Sequence, residues 1–219
     1  MPTITFEKIS QEKKELLLRH ALQEFALNDY QSASVSKIVK ACGIAKGSLY
    51  QYFENKKDLY FYLKKVCEEK KSNYIFSVLN KPYDSFWDKY EAMYLEGIKF
   101  DLENPLHSGF LYQIYQEKNN EDLGDLLKAH KQKSLEIFEQ LLVGEYQKGR
   151  LKKDLDLKIA AFMIVQLSIG IVDYLELVCG IDFRSNIKNN QPVFGLSDKE
   201  LLHFVRHMSG FFRKSFGKS

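Results

Sequence analysis

The stretch SVSKIVKACGIAKGSLYQYFENKKDL, residues 34–59, constrains this chain more than any other. Its apolar residues form two short helical patterns: Ile38, Val39 and Ala41 in the first, and Leu49 with Phe53, at i, i+4 spacing, in the second. Between them lies Cys42-Gly43-Ile44, with glycine at the point where the chain must reverse and where a positive φ would cost other residues free energy. Ser34 is placed to cap the first helix with its hydroxyl. Two such helices joined by a glycine turn make a helix–turn–helix, which reads DNA when its second helix turns small and polar residues outward. Here that outward set is Lys46, Gly47, Ser48, Tyr50, Gln51 and Tyr52.

Charge agrees with this placement. The chain of 219 residues carries a net charge of +3, too small for general coating of nucleic acid. The excess is local: residues 1–71 hold 13 Lys/Arg against 9 Asp/Glu, and residues 72–219 hold 19 against 20. Around the motif stand Lys37, Lys40, Lys46, Lys56 and Lys57, opposed by Glu54 alone. That is the footprint expected of a local nucleic-acid contact, although a solvated face gives the same run.

The remaining sequence reads as helix throughout, with no clean strand alternation and no internal repeat. Ser10 caps a helix over about 11–27 with Leu17, Ala21 and Phe25 on one stripe. Asn55 caps a long helix from Lys56 to about Asn80. Further helices are expected over 85–100, 106–115, 121–148 and 156–179, and a last one after Ser197; 180–196 is expected to be loop. The segment 156–179 is apolar on nearly every side, and the final helix has a broad apolar stripe. Such faces suit either an ordinary core or half of an intermolecular four-helix bundle. The most apolar run, 159–172, is too short for a membrane span. Cys42, Cys67 and Cys179 are scattered without metal or disulfide spacing and fit a reducing cytoplasm. The fold class expected is therefore all-α: a three-helix DNA-binding head over 1–55 and a helical bundle over 56–219.

Catalytic patterns are lacking. There is no phosphate loop and no GxSxG, and Asp101 and Glu103 form only an isolated acid pair. His203 and His207 have the spacing of a two-ligand metal site but no third ligand nearby, so no metal, cofactor or enzymatic role is expected.

Ala21 and Phe25, Tyr30, Ser34-Val35, Ile38-Val39, Ala41-Cys42-Gly43-Ile44, Lys46-Gly47-Ser48-Leu49-Tyr50, Tyr52-Phe53, Lys56 and Leu59 together resemble the TetR family of bacterial transcriptional regulators, over about residues 10–60. Two residues depart from its pattern. Asp29 stands where glycine is usual, and Ala45 stands where a Ser or Thr caps the recognition helix. The resemblance implies a homodimer joined through the two C-terminal helices, a palindromic double-stranded operator, and release by a small-molecule effector. The alternative is a helical DNA-binding or protein-interaction module without an effector.

On DNA, Lys46 suits a guanine edge or phosphate, and Gly47 permits close backbone approach. Ser48 can donate to a base or phosphate, and Gln51 is the best base-edge reader, favouring adenine. Tyr50, Tyr52 and Lys56 suit phosphates, and Ser36 and Lys37 can brace the backbone from the preceding helix. For the effector, Tyr94, Phe110, Phe162 and Gln166 are the expected pocket residues, fitting a small apolar or aromatic ligand.

Overall fold

The computed structural model describes residues 2–117, 120–124, 126–189 and 191–218. The described residues form helices only: α1 (Ile4–Lys8), α2 (Gln11–Leu27), α3 (Val35–Ala41), α4 (Lys46–Tyr52), α5 (Lys56–Leu79), α6 (Phe86–Glu103), α7 (Pro105–Gln116), α8 (Leu126–Gln147), α9 (Leu157–Leu177), α10 (Phe183–Lys188) and α11 (Asp198–Phe216). Among the described residues one antiparallel bridge, Leu151 to Gly217, joins the start of the α8–α9 link to the segment after α11.

The helix starts follow from short polar side chains that accept backbone N–H groups left without partners in the first turn. Ser10, Ser34, Asn55 and Ser85 each accept from the residue three positions on. Asp156 accepts from Lys158 and Ile159. Ser197 and Glu200 form a reciprocal capping box at the head of α11. Two short helices, α1 and α10, were not expected from the sequence: α10 lies within the predicted loop, and α8 starts later than its apolar pattern suggested.

Apolar burial forms two clusters. The first joins Phe6, Leu17, Ala21, Phe25, Ile38, Leu49 and Phe53 of the N-terminal helices to Leu59, Tyr60 and Leu63 of α5 and on to Phe100, Phe110, Val172 and Phe183. The second lies farther out, among Phe86, Trp87, Tyr90, Phe138, Leu142, Ile164, Val165 and Phe212 of α6, α8, α9 and α11. Ile38 and Val39 are buried as expected; Ala41 faces solvent. Helix α2 packs against α7, α5 against α6, and α8 against α9. At Gly109 on α7 the chains approach so closely that an added Cβ would fall 2.2 Å from Ile187 Cδ1 of α10.

One polar group is carried into this interior with full compensation. Asp101, 3% exposed, accepts from Ser108 Oγ at 2.5 Å and Tyr112 Oη at 2.9 Å, and Lys71 Nζ lies 3.5 Å away. The knot ties α5 to α6 and α7. Its members are too scattered in sequence to be linked without the fold.

Burial, then the charge of Lys70, pushes the His107 imidazole down to about 4. Between the unfolded value of about 6.5 and that value, the unfolded chain binds a proton that the folded chain refuses. The stability held above pH 6.5 is therefore lost as pH falls through this window. The denaturant midpoint should drop between pH 7 and 4.5, and His107→Gln should flatten part of that fall. An unchanged slope in the variant would show that His107 does not contribute.

Candidate nucleic-acid interface

The recognition helix α4 is a seven-residue element held from beneath by Leu49 and Phe53, both almost fully buried. The turn before it is set by Gly43 at φ 66°. There the Gly43 N–H reaches the Lys40 carbonyl at 3.2 Å, and the Ile44 N–H reaches the Val39 carbonyl at 3.1 Å, so the end of α3 is satisfied. No side chain caps the start of α4, because Ala45 stands in the cap position. The motif depends on tertiary packing more than on its own helix termini.

Of the predicted DNA-facing residues, Ser36 and Lys37 on α3 and Lys46, Gly47, Tyr50 and Gln51 on α4 are exposed, and Ser48 is partly so. Lys37 is exposed, with Glu24 3.9 Å from its ammonium. An added Cβ at Gly47 would meet nothing within 4 Å, so the protein itself leaves that position bare without needing to.

Tyr52 and Lys56 are half-buried and already have partners within the protein. Tyr52 is half-buried, its ring 6.0 Å from Phe6. The Lys56 ammonium sits 4.7 Å from the Tyr30 ring centroid and donates to the Gln31 carbonyl at 3.2 Å. Burial pushes its pKa down, against the opposing pull of Asp29, Asp122, Glu117 and Glu24. The physical reason is the ring and carboxylates of the adjoining seam, which spacing along the chain could not reveal.

That seam joins the helix–turn–helix to the body. The Tyr30 N–H donates to the Glu117 carboxylate, and Gln31 Nε2 donates to Asp122 Oδ2 at 3.3 Å. Asp29 accepts the Ser32 N–H at 2.7 Å, which holds its carboxyl below its ordinary value and shapes the turn. Sequence reasoning missed Glu117 and Asp122, since no motif marks them.

The four residues expected to line an effector pocket are not gathered. Phe110 lies in the first core, against Tyr60 at 4.9 Å, and Tyr94 packs on Tyr90 at 4.7 Å beside the second. Phe162, half exposed, and Gln166 lie on the outward side of α9, whose inward side is Ala160, Ala161, Ile164 and Val165. A helix apolar all round gives periodicity nothing with which to choose its buried face. A crevice of about 350 Å³ opens instead among α2, α7, α9 and α10, with Ala26, Gly109, Val172 and Ile187 along its apolar side.

Residues 17–63 match the family described as bacterial regulatory proteins, tetR family. Its helix–turn–helix segment is of the TetR family. It is 28% identical over 145 residues to the fatty acid metabolism regulator protein of Bacillus subtilis, which covers 66% of this chain and 73% of that protein. A TetR family transcriptional regulator from Chloroflexus aurantiacus matches over the full length of both chains, at 26% identity and a TM-score of 0.79. The fold is also similar to that of the regulator FadR from Bacillus subtilis in complex with stearoyl-CoA, with 21% identity, TM-score 0.57, and 87% of this chain and 96% of that chain covered. The chain is a DNA-binding transcriptional regulator, and TetR-family regulators are generally not enzymes.

Two substitutions test how the motif is built. Ala45→Ser supplies the missing cap and should raise stability by about 0.5–1 kcal/mol. Gly43→Ala should lower it by about 1 kcal/mol although its Cβ has free space, because the cost lies in the positive φ. Urea unfolding at fixed protein concentration measures both; a neutral Gly43→Ala would refute the turn argument.

Proposed function

We propose that this regulator is a dimeric repressor whose residues 1–55 read a palindromic operator and whose residues 56–219 dimerise and bind a small apolar effector. The observation that carries the reading is the seam: Tyr30 and Gln31 of the head are bonded to Glu117 and Asp122 at the end of α7 and beyond. A ligand that shifts α7 must move these contacts, and with them the angle of the head. To release DNA it needs only a higher affinity for the arrangement whose two heads no longer match the half-site spacing.

The outward side of α9 supports the dimer. Ile159, Phe162, Met163, Leu167, Tyr174 and Leu177 are all exposed there, and Phe211 of α11 is half exposed. Helix α9 is long and apolar enough to cross a membrane, yet only 33% of its apolar window is buried within the chain. In this proposal a second copy covers the face in a four-helix arrangement, and the protein works in the cytoplasm. Phe162 then serves the interface and leaves the effector to the body's interior and the crevice beside Gly109. The name of the Bacillus relative and the stearoyl-CoA complex of the structural neighbour favour a long-chain acyl compound as effector.

Selection from genomic fragments, followed by footprinting, tests the reading. Two protected half-sites should appear, about 10 base pairs or a multiple apart centre to centre. Added stearoyl-CoA should release the selected duplex, and light scattering should give twice the chain mass. Lys46→Ala should weaken binding to all duplexes, whereas Gln51→Ala should change the preferred sequence. Equal affinity for selected and random duplexes at physiological salt would end the proposal.

A further inference from the structure

The recognition helix has no side-chain cap at its start, but its end is held by a segment outside the helix–turn–helix. The Thr3 N–H donates to the Tyr52 carbonyl at 2.9 Å, and Thr3 Oγ1 donates to the Gln51 carbonyl at 2.6 Å. These are carbonyls of the last turn of α4, which have no intrahelical partner of their own. The same hydroxyl oxygen accepts the Phe6 N–H at 3.4 Å, which starts α1. Phe6 is fully buried against Phe53 at 5.0 Å and Tyr62 at 5.6 Å, so α1 is anchored both to the residue that ends α4 and to α5. Lys14 closes the segment from the other side: its ammonium reaches the Glu7 carbonyl at 2.9 Å and lies 5.6 Å from the Phe6 ring centroid. Residues 3–8 lie outside the stretch matched by the family, residues 17–63.

We infer that residues 3–6 brace the C-terminal end of α4 and so fix its pose in the DNA groove, which makes Thr3 a positioning residue for sequence readout. The inference rests on the reading above, in which Gln51 contacts a base edge. Thr3 bonds the backbone of that residue. A bidentate contact is lost with small changes of angle, whereas a phosphate contact by an exposed lysine tolerates them. Loss of the brace therefore removes discrimination before it removes attraction.

The test uses the full chain, with duplexes selected by the wild type and duplexes of random sequence. Thr3→Val keeps the backbone N–H and the side-chain shape but neither donates nor accepts through a hydroxyl. It should lower the ratio of selected to random affinity about fivefold, the effect of roughly one hydrogen bond. Affinity for random duplexes and its salt dependence should stay as they were. Amide exchange at Tyr52 and Phe53 should quicken, and Thr3→Ser should restore both the ratio and the exchange rate. A ratio unchanged within about twofold, or an equal fall on selected and random duplexes, would overturn the brace. A wild-type ratio near one would instead sink the base-reading proposal, and this inference with it.

Discussion

Tyr60 packs edge-on against three rings: Phe25 at 5.1 Å, Tyr30 at 5.2 Å and Phe110 at 4.9 Å. Phe25 and Tyr30 belong to the N-terminal helices and their link, Tyr60 to α5, and Phe110 to α7. Edge-to-face geometry makes each pair more favourable than its buried area alone, and it restricts how the rings can slide. The DNA-binding head is thereby joined to the body through a directional apolar contact, with the polar seam of Tyr30, Gln31, Lys56, Glu117 and Asp122 beside it. Helix α5 belongs to both parts, since Leu59 and Leu63 are in the same core as Leu49 and Phe53.

The helical skeleton was largely readable from sequence because its signals are local. Ser10, Ser34, Asn55 and Ser197 cap the helices expected to follow them, and Ser85 and Asp156, expected as first helical residues, cap theirs. The i, i+4 pair Leu49 and Phe53 and the stripe Leu17, Ala21 and Phe25 are buried as their spacing requires. Helices α1 and α10 escaped notice for the converse reason. At five and six residues they are too short to show a period, and each is stabilised by a distant anchor, Phe6 on Phe53 and Ile187 beside Gly109.

Side-chain destinations were less legible than helices. Lys46 and Gln51 stand on the exposed side of α4, where the pattern put them. Lys56 has the charge and position of a phosphate contact, but the Tyr30 ring and a group of carboxylates draw it into the seam. Phe162, expected in an effector pocket, is half exposed on α9. For Lys56 the deciding neighbours lie far away in sequence, and residue type carries no information about them.

The hydroxyl of Tyr60 has no hydrogen-bond partner among the described residues, although the residue is fully buried. Leaving such a group unbonded costs on the order of 1–3 kcal/mol. The contact between head and body is accordingly less favourable than its ring geometry alone would make it. That deficit is comparable to the coupling free energies, about 1–3 kcal/mol, through which one site influences another. Any arrangement of the head that brought this hydroxyl to a partner would recover part of that cost, and a ligand favouring such an arrangement would need that much less differential affinity of its own.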